Sequence, residues 1–377
     1  MADLVVLAGA LHDGVAEAPR AERAVVIEGG RITDVTDPAR APDAPVRRAA
    51  VVAPGLIDLQ INGGGGVMFN DAPDRDTLRL MARAARAGGT AHLLPTFITA
   101  PGMGYRAAME AVRAALAEAE PGILGLHLEG PFLSPARSGI HPAAAIRPLA
   151  EADLDALCAG IGGPLLLTLA PEEITPEVIA RLAGAGIAVF AGHSEADHAT
   201  VIAAAGAGLR GGTHLFNAMS QVAGRAPGMV GALFDDERLF AGIIADDIHV
   251  HPANLRLARR AMAGRLFLVT DAMATLDAPE ARFVVDGKEI RQKDGRLADA
   301  EGCLAGAHLA MDEAVRNMIR LGGASPAEAL RMASGVPARA LRLEAELGRI
   351  APGMRASLTL FDADLRAAGV VVDGRPF

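Results

Sequence analysis

Between residues 54 and 345, short apolar segments alternate with amphipathic, alanine-rich segments, and this alternation limits the possible folds more than any other feature of the sequence. The apolar segments have the length of β-strands, and eight can be counted: Gly55–Ile61, Ala91–Phe97, Ile123–Leu128, Leu165–Leu169, Ile187–Gly192, Gly212–Leu215, Phe240–Ala245 and Leu266–Thr270. The amphipathic segments have helical spacing and lie at Arg75–Ala87, Tyr105–Glu118, Pro176–Ala185, Ala196–Ala205, Pro252–Ala263, Leu309–Leu321 and Pro326–Ala333. Repeated strand–helix units are typical of a parallel sheet covered by helices, so the pattern predicts an α/β fold, a (β/α)8 TIM-like barrel. An open doubly wound sheet is the alternative, but no GxGxxG motif follows the first strand.

Both ends of the chain carry a different pattern, in which short strands are separated by turns. Leu4–Leu7 and Ala24–Glu28 are apolar, and Ser357–Phe361 resembles them near the other end. Neither end is long enough to bury a core alone, so residues 1–53 and 346–377 are predicted to form one small β-sandwich domain together. Residues 54–345 then form the barrel, with a β-hairpin insertion at residues 275–303.

Composition and charge exclude several classes of protein. No apolar run approaches the roughly 18 residues needed to span a bilayer. The first ten residues carry no basic stretch followed by an apolar one, so a soluble, cytoplasmic chain with no membrane partner is expected. A net charge of −9 argues against nucleic acid as a partner, because phosphate backbones need a basic face. Cys158 and Cys303 lie far apart and predict neither a disulfide framework nor a CxxC metal site.

Ionisable residues stand at the ends of five of the predicted strands. They are Glu129 after the third strand, His193 after the fifth, His214 in the sixth, Asp246 and His249 after the seventh, and Asp271 after the eighth. The carboxyl ends of barrel strands meet on one face, where barrel enzymes carry their chemistry. A buried carboxylate without a partner costs several kcal/mol, so this repetition is typical of a functional cluster.

One glutamate with two histidines is a familiar ligand set for a divalent cation. Zn²⁺ is the expected metal, and Fe²⁺ or Co²⁺ would also suit two imidazoles and a carboxylate. A zinc ion lowers the pKa of its water to about 7, which makes hydroxide available at neutral pH. Asp271 could then take the proton of that water and pass it to a leaving amine.

Several longer motifs carry a resemblance to a known family. They are PGLID at 54–58, HLEGPF at 127–132, GHS at 192–194, THLFNAM at 213–219, GRAPG at 224–228 and LVTDA at 268–272. Together they resemble the amidohydrolase superfamily and, within it, the N-acetylglucosamine-6-phosphate deacetylase family. The resemblance covers essentially the whole chain. It implies hydrolysis of N-acetyl-D-glucosamine 6-phosphate to D-glucosamine 6-phosphate and acetate, in amino sugar catabolism, by a metal-activated water.

The same resemblance assigns roles to residues. It implies that Glu129, His193 and His214 bind one metal ion and that Asp271 is the catalytic acid/base. It also implies a homodimer, in which Arg225 reaches the phosphate in the neighbouring subunit's site. The substrate-binding residues that it implies are Ile140, His141, Asn217, Ala218, Arg225, Asp246, His249, Leu304, Ala305 and Gly306.

The first strand departs from the superfamily pattern. Many members have HxH there, whereas this chain has Gln60-Ile61-Asn62. Amides are poor zinc ligands beside imidazole, so the second metal position is expected to be vacant and the enzyme mononuclear. His127, two residues before Glu129, is expected to orient that carboxylate.

Two alternative functions remain open at this point. One is a deacetylase for a related N-acyl amino sugar, such as N-acetylgalactosamine 6-phosphate, because the motifs do not define the stereochemistry at C4. The other is a non-catalytic barrel that serves as a scaffold. The scaffold is disfavoured because all three ligands and Asp271 are present.

Overall fold

Strands and helices alternate along most of the chain in its computed structural model, which describes residues 2–377. The strands are β1 (Leu4–Leu11), β2 (Arg20–Glu28), β3 (Arg31–Thr36), β4 (Val46–Pro54), β5 (Leu56–Ile61), β6 (Gly63–Gly64), β7 (Val67–Met68), β8 (Thr90–Ile98), β9 (Leu126–Glu129), β10 (Leu165–Leu169), β11 (Ala188–Ala191), β12 (Gly211–Gly212), β13 (Phe240–Ile243), β14 (Leu266–Leu268), β15 (Arg282–Val285), β16 (Lys288–Lys293), β17 (Arg296–Ala298), β18 (Leu358–Phe361), β19 (Ala367–Val372) and β20 (Arg375–Pro376). The α-helices are α1 (Arg75–Ala87), α2 (Tyr105–Ala117), α3 (Glu151–Cys158), α4 (Pro176–Gly184), α5 (His198–Gly206), α6 (Gly228–Asp235), α7 (Pro252–Ala261), α8 (Met311–Arg320), α9 (Pro326–Met332) and α10 (Gly335–Ala340).

Eight parallel strands form a closed barrel. They follow one another in the order β5-β8-β9-β10-β11-β12-β13-β14. A parallel bridge between Ile61 and Ala272 joins the first strand to the segment after the last. Two backbone hydrogen bonds support it, from Asn62 N–H to Ala272 O (2.8 Å) and from Asp271 N–H to Gln60 O (2.9 Å). The barrel prediction is confirmed, and this closure excludes the open doubly wound sheet.

Some element boundaries differ from the predicted ones. The sixth strand was expected at Gly212–Leu215, but its paired part is only Gly211–Gly212. The backbone of His214 adopts a φ of +34°, which takes the chain out of the extended conformation after two residues. Helices α3 and α6 lie where no helix was predicted; each has only eight residues and a weakly amphipathic sequence.

Strands from both chain ends share one sheet. Its seven strands have the order β20-β19-β18-β4-β1-β2-β3. β4 pairs in parallel with β1 and antiparallel with β18, so the last part of the chain pairs with the first. A second apolar core, which includes Leu11, Ile27 and Leu358, lies against this sheet. A β domain made of both ends is thus confirmed, while its limits at 1–53 and 346–377 stay a prediction.

The insertion after the eighth barrel strand is a small antiparallel sheet. It consists of β15, β16 and β17, one strand more than the expected hairpin. Val285, Ile290 and Leu297 of this sheet pack with Ile98 and Met273 at the carboxyl ends of the barrel strands. We call β15–β17 the flap. Among the described residues, no helix has the length and hydropathy that a membrane crossing requires.

Polar side chains form a layer inside the barrel, and His127 lies at its centre. His127 Nδ1 lies 3.1 Å from Thr96 Oγ1, and Nε2 lies 2.8 Å from Thr168 Oγ1. Burial lowers the pKa of His127 to about 4, so the ring is neutral. The expectation that His127 orients Glu129 was wrong, because both of its ring nitrogens are hydrogen-bonded to threonines.

Thr359 is one of the residues that join the end sheet to the barrel. Thr359 in β18 is fully buried, and its Oγ1 donates a hydrogen bond to Gly89 O (2.7 Å). The same Oγ1 accepts one from Leu56 N–H at the start of the first barrel strand (3.1 Å). Since Gly89 directly precedes the second barrel strand, this hydroxyl contacts the beginning of both strands.

We predict that Thr359→Val destabilises the protein by about 2–3 kcal/mol, because the isosteric change leaves a buried N–H and a buried C=O without partners. Urea unfolding monitored by circular dichroism measures the loss. Thr33→Val makes the same change at an exposed residue of the same sheet, whose hydroxyl donates only a long hydrogen bond to Val26 O (3.3 Å), and is the control, expected to stay within about 0.5 kcal/mol of the wild type. Equal losses in the two variants would contradict the role given to Thr359.

Candidate active site

Glu129, His193 and His214 converge at the carboxyl ends of the barrel strands. All three are buried, with 2%, 5% and 5% of their surface exposed. Glu129 Oε1 lies 3.0 Å from His214 Nε2 and 3.2 Å from His193 Nε2, and the two Nε2 atoms are 3.1 Å apart. The three residues predicted as metal ligands from the sequence are therefore brought together in one cluster.

The backbone turns sharply where it presents these side chains. His193, His214 and Asp271 have φ values of +48°, +34° and +50°. Residues other than glycine rarely adopt this left-handed conformation, which costs on the order of 1–3 kcal/mol each. Neighbouring backbone hydrogen bonds hold these turns, such as Leu215 N–H to Gly242 O at 2.7 Å. Strain of this kind is characteristic of functional sites.

The cluster has the dimensions of a cation site. Tetrahedral ligands at 2.0–2.1 Å from a zinc ion stand about 3.3–3.4 Å apart, close to the spacings between these three atoms. His193 Nδ1 lies 2.8 Å from the carbonyl oxygen of Arg137. A carbonyl can only accept, so Nδ1 carries the hydrogen and the lone pair of a neutral ring is on Nε2, facing the cluster. The donor set, two imidazoles and a carboxylate, therefore fits a divalent cation.

Charge in the cluster is balanced among its members. Burial alone would raise the pKa of Glu129, but the adjacent imidazoles of His193 and His214 hold it well below its usual range. Burial opposes protonation of His214, yet the neighbouring Glu129 carboxylate raises its pKa. The carboxylate thus favours positive charge at this point, and binding of a cation would replace the proton on His214.

Asp271 lies beside the cluster and is held by two amides. Its Oδ1 accepts hydrogen bonds from Asn62 Nδ2 (2.6 Å) and Gln60 Nε2 (3.1 Å). Gln60 Nε2 also lies 3.3 Å from both carboxylate oxygens of Glu129. Burial, with the negative charge of Glu129, raises the pKa of Asp271 to about 6. Where HxH would supply metal ligands, this chain has two amide donors, of which Asn62 contacts Asp271 and Gln60 bridges Asp271 and Glu129.

A cavity of about 290 Å³ opens above the cluster. Seven of the substrate residues implied by the resemblance line it: Ile140, His141, Asn217, Ala218, His249, Leu304 and Gly306. Other lining residues were not anticipated from the sequence, namely Ile98, Gly139, Ile244, Met273 and Cys303. Ile98 could have been predicted to line the cavity, because it directly follows the predicted second strand.

Three further predicted residues lie elsewhere. Asp246 does not line the cavity but holds His249, with Oδ2 2.6 Å from His249 Nδ1 and Oδ1 accepting the His249 backbone N–H at 2.8 Å. Ala305 is fully buried under the flap. Arg225 lies on an exposed loop, residues 221–227, and does not reach the cavity of its own chain.

His141 enters the cavity as a neutral ring. Its Nδ1 lies 2.8 Å from Thr99 Oγ1, and its Nε2 lies 4.0 Å from Glu129 Oε2. Burial, together with the nearby His193, lowers the pKa of His141 to about 3. The ring therefore adds no positive charge to the cluster.

Asp58 lies beneath Asp271 and is fully buried. Its Oδ2 is 2.5 Å from Thr270 Oγ1, and its Oδ1 accepts the backbone N–H groups of Gln60 and Thr270, both at 3.2 Å. Burial outweighs these hydrogen bonds and raises the pKa of Asp58 from 3.8 to about 7.

Comparisons with known proteins agree with the geometry. Residues 51–376 match the Amidohydrolase family. N-acetylgalactosamine-6-phosphate deacetylase of Shewanella sp. (strain ANA-3) is 43% identical over 322 residues, covering 85% of this chain and 81% of that protein. N-acetylglucosamine-6-phosphate deacetylase of Haemophilus influenzae is 36% identical over 324 residues, covering 85% of each. The crystal structure of N-acetylglucosamine-6-phosphate deacetylase from Pasteurella multocida superposes with a TM-score of 0.95, at 34% identity and 99% coverage of both chains.

We predict that Asp58→Asn gains stability over the wild type as pH rises. A carboxyl whose folded pKa is raised stabilises the fold fully below pH 3.8 and loses that contribution as pH rises through about 7. Asparagine stays neutral throughout, so between pH 5 and pH 8 the difference should grow by on the order of 2 kcal/mol. Urea midpoints at both pH values measure it, with the exposed Asp364→Asn as a control for the loss of one charge. A difference that does not change with pH would contradict the prediction.

Proposed function

The chain belongs to the amidohydrolase family, and on that premise we propose that it hydrolyses N-acetyl-D-glucosamine 6-phosphate to D-glucosamine 6-phosphate and acetate. One observation carries the proposal: the buried Glu129, His193 and His214 cluster faces a cavity into which Asp271 also points. Deacetylases of related sugar phosphates are 36–43% identical over most of the chain.

We propose that Glu129, His193 and His214 hold a single divalent cation, with Zn²⁺ as the first choice and Fe²⁺ or Co²⁺ as alternatives. When bound, such a cation supplies hydroxide near neutral pH and polarises a carbonyl as a Lewis acid. Gln60 and Asn62 support a count of one, because their amide nitrogens donate to Asp271 and Glu129.

Asp271 moves the proton. Both amide donors contact Oδ1, which leaves Oδ2 to receive the proton of the attacking water. With a pKa near 6 the carboxyl is mostly ionised at neutral pH, as a general base must be, and once protonated it can donate to the leaving nitrogen. Asn62 and Gln60 hold the carboxylate in place during both transfers.

The opposite part of the cavity suits a phosphate. His249 turns Nε2 toward it because Asp246 occupies Nδ1. Asn217 and Ala218 line the same cavity, where the Ala218 backbone N–H and the Asn217 amide can donate.

None of the described residues lining the cavity is arginine or lysine. We propose that a homodimer supplies the missing charge, with Arg225 of each subunit reaching the other subunit's phosphate site. The exposed loop that carries Arg225 also contains Val222, which is 57% exposed. Exposure of this apolar side chain favours burial of the loop against a second copy.

N-acetylgalactosamine 6-phosphate is a second candidate substrate. The Shewanella relative that bears this activity in its name is 43% identical to the chain, against 36% for the Haemophilus enzyme. The two sugars differ only in the orientation of the C4 hydroxyl, so both fit the same metal and phosphate contacts.

We predict acetate release from N-acetyl-D-glucosamine 6-phosphate, with kcat/KM falling about 10- to 100-fold when the phosphate is absent, the range expected for charge-assisted hydrogen bonds. Arg225→Ala should lower kcat/KM by a similar factor for the phosphorylated sugar and leave kcat/KM for the unphosphorylated sugar unchanged. Arg40→Ala, an exposed arginine in the end sheet region, is the matched control. A higher kcat/KM on the galacto epimer would favour the second candidate, and no acetate from either by metal-loaded protein would refute the deacetylase proposal.

We predict about one equivalent of divalent metal per chain, measured by inductively coupled plasma mass spectrometry after dialysis. His193→Ala should lose the metal because it removes one of three protein ligands. His198→Ala, a partly exposed histidine paired with Asp235, should retain it. Two equivalents in the wild type would contradict the single-cation proposal.

A further inference from the structure

A second, smaller cavity of about 120 Å³ lies next to the substrate cavity. It lies between the end of β8, the β6–β7 hairpin and the flap and is partly open to solvent, and its walls include Met68, Thr99, Val284 and Val285. Among the described residues, Ile98 alone lines both cavities. It belongs to the apolar cluster that also contains Met273 of the first cavity and Met68 and Val285 of the second, and we call its side chain the partition between them.

Ile98 is held firmly in this position. It is 5% exposed and pairs with Glu129 in the parallel ladder between β8 and β9, so it lies beside the carboxylate of the cation cluster. The Asn70 side chain binds both backbone groups of Ile98, donating to its C=O and accepting from its N–H, each at 2.9 Å. These two hydrogen bonds fix the main chain of Ile98, and its side chain is buried.

The barrel topology indicates which end of a substrate meets Ile98. Asn217 and His249, assigned to the phosphate, follow the sixth and seventh strands. Ile98 ends the second strand, which in a ring of eight stands opposite the sixth. A secondary amide is trans, so its acyl tail extends away from the sugar. With the phosphate near Asn217 and the carbonyl at the cluster, the acyl methyl points toward Ile98.

We propose that Ile98 determines the length of the acyl group, confining the reaction to N-acetyl substrates by closing off the second cavity. The proposal rests on the deacetylase function proposed above. A smaller residue at this position joins the two cavities and admits N-propionyl and N-butyryl amino sugar phosphates. The reaction is then the same: water adds to the acyl carbon, the C–N bond breaks, and the amine nitrogen takes a proton, giving butyrate and D-glucosamine 6-phosphate.

The test compares kcat/KM for N-acetyl, N-propionyl and N-butyryl D-glucosamine 6-phosphate in the wild type and in Ile98→Ala. The butyryl-to-acetyl ratio should rise about 10- to 200-fold in the variant, the range that methylene-sized differences produce in apolar pockets. Val285→Phe added to Ile98→Ala refills the second cavity from the flap and should cancel the gain. Ile244→Ala trims the substrate cavity on the seventh-strand side and should leave the ratio unchanged.

Ile98→Val is a milder variant that replaces Ile98→Ala in the test if the latter does not fold. Its propionyl-to-acetyl ratio of kcat/KM should exceed that of the wild type. Wild-type turnover of the N-acetyl substrate with an unchanged ratio in the folded variants would overturn this inference alone. A gain that persists with Val285→Phe would also overturn it, since the longer chain would then lie elsewhere. No turnover of any N-acyl substrate by metal-loaded wild type would refute the proposed function as well.

Discussion

The negative charge of Glu129 is the constraint around which the active face is organised. A carboxylate that is 2% exposed at the mouth of the barrel cannot stay ionised without compensation. The compensating groups come from three other strands: Gln60 from the first, His193 from the fifth and His214 from the sixth. They can meet only in a closed ring, so the bridge from Ile61 to Ala272 that closes the barrel is also what assembles the cluster.

Much of this was readable in the sequence because the information is local. An apolar run that ends in a carboxylate or an imidazole predicts a barrel strand and its active end together, as at Glu129 and Asp271. The period-two alternation of β9 also shows that His127 and Glu129 share a face. The hydrogen-bond partners of His127 could not be predicted from the sequence, because Thr96 and Thr168 contact it from neighbouring strands.

The remaining features depend on contacts between distant segments. The left-handed backbone at His214 shortens the sixth strand to two residues. The sequence does not predict this conformation, because the residue at that position is not glycine. Ile98 directly follows the predicted second strand, but its position between two cavities depends on the flap, almost 190 residues later in the chain. Asp246 carries the charge of a binding residue but supports His249 instead, a distinction that only side-chain direction reveals.

The end sheet cannot be completed until β18 has been synthesised. β4 lies between β1 and β18, and Pro54 pairs with Leu358. At 5–20 residues per second, roughly 15–60 s pass on the ribosome between these two segments. During that interval β4 is an unpaired sheet edge, which is the kind of surface that recruits chaperones or foreign strands. A chain cut short before β18 would keep that edge permanently, so a strand that is made late protects one that is made early.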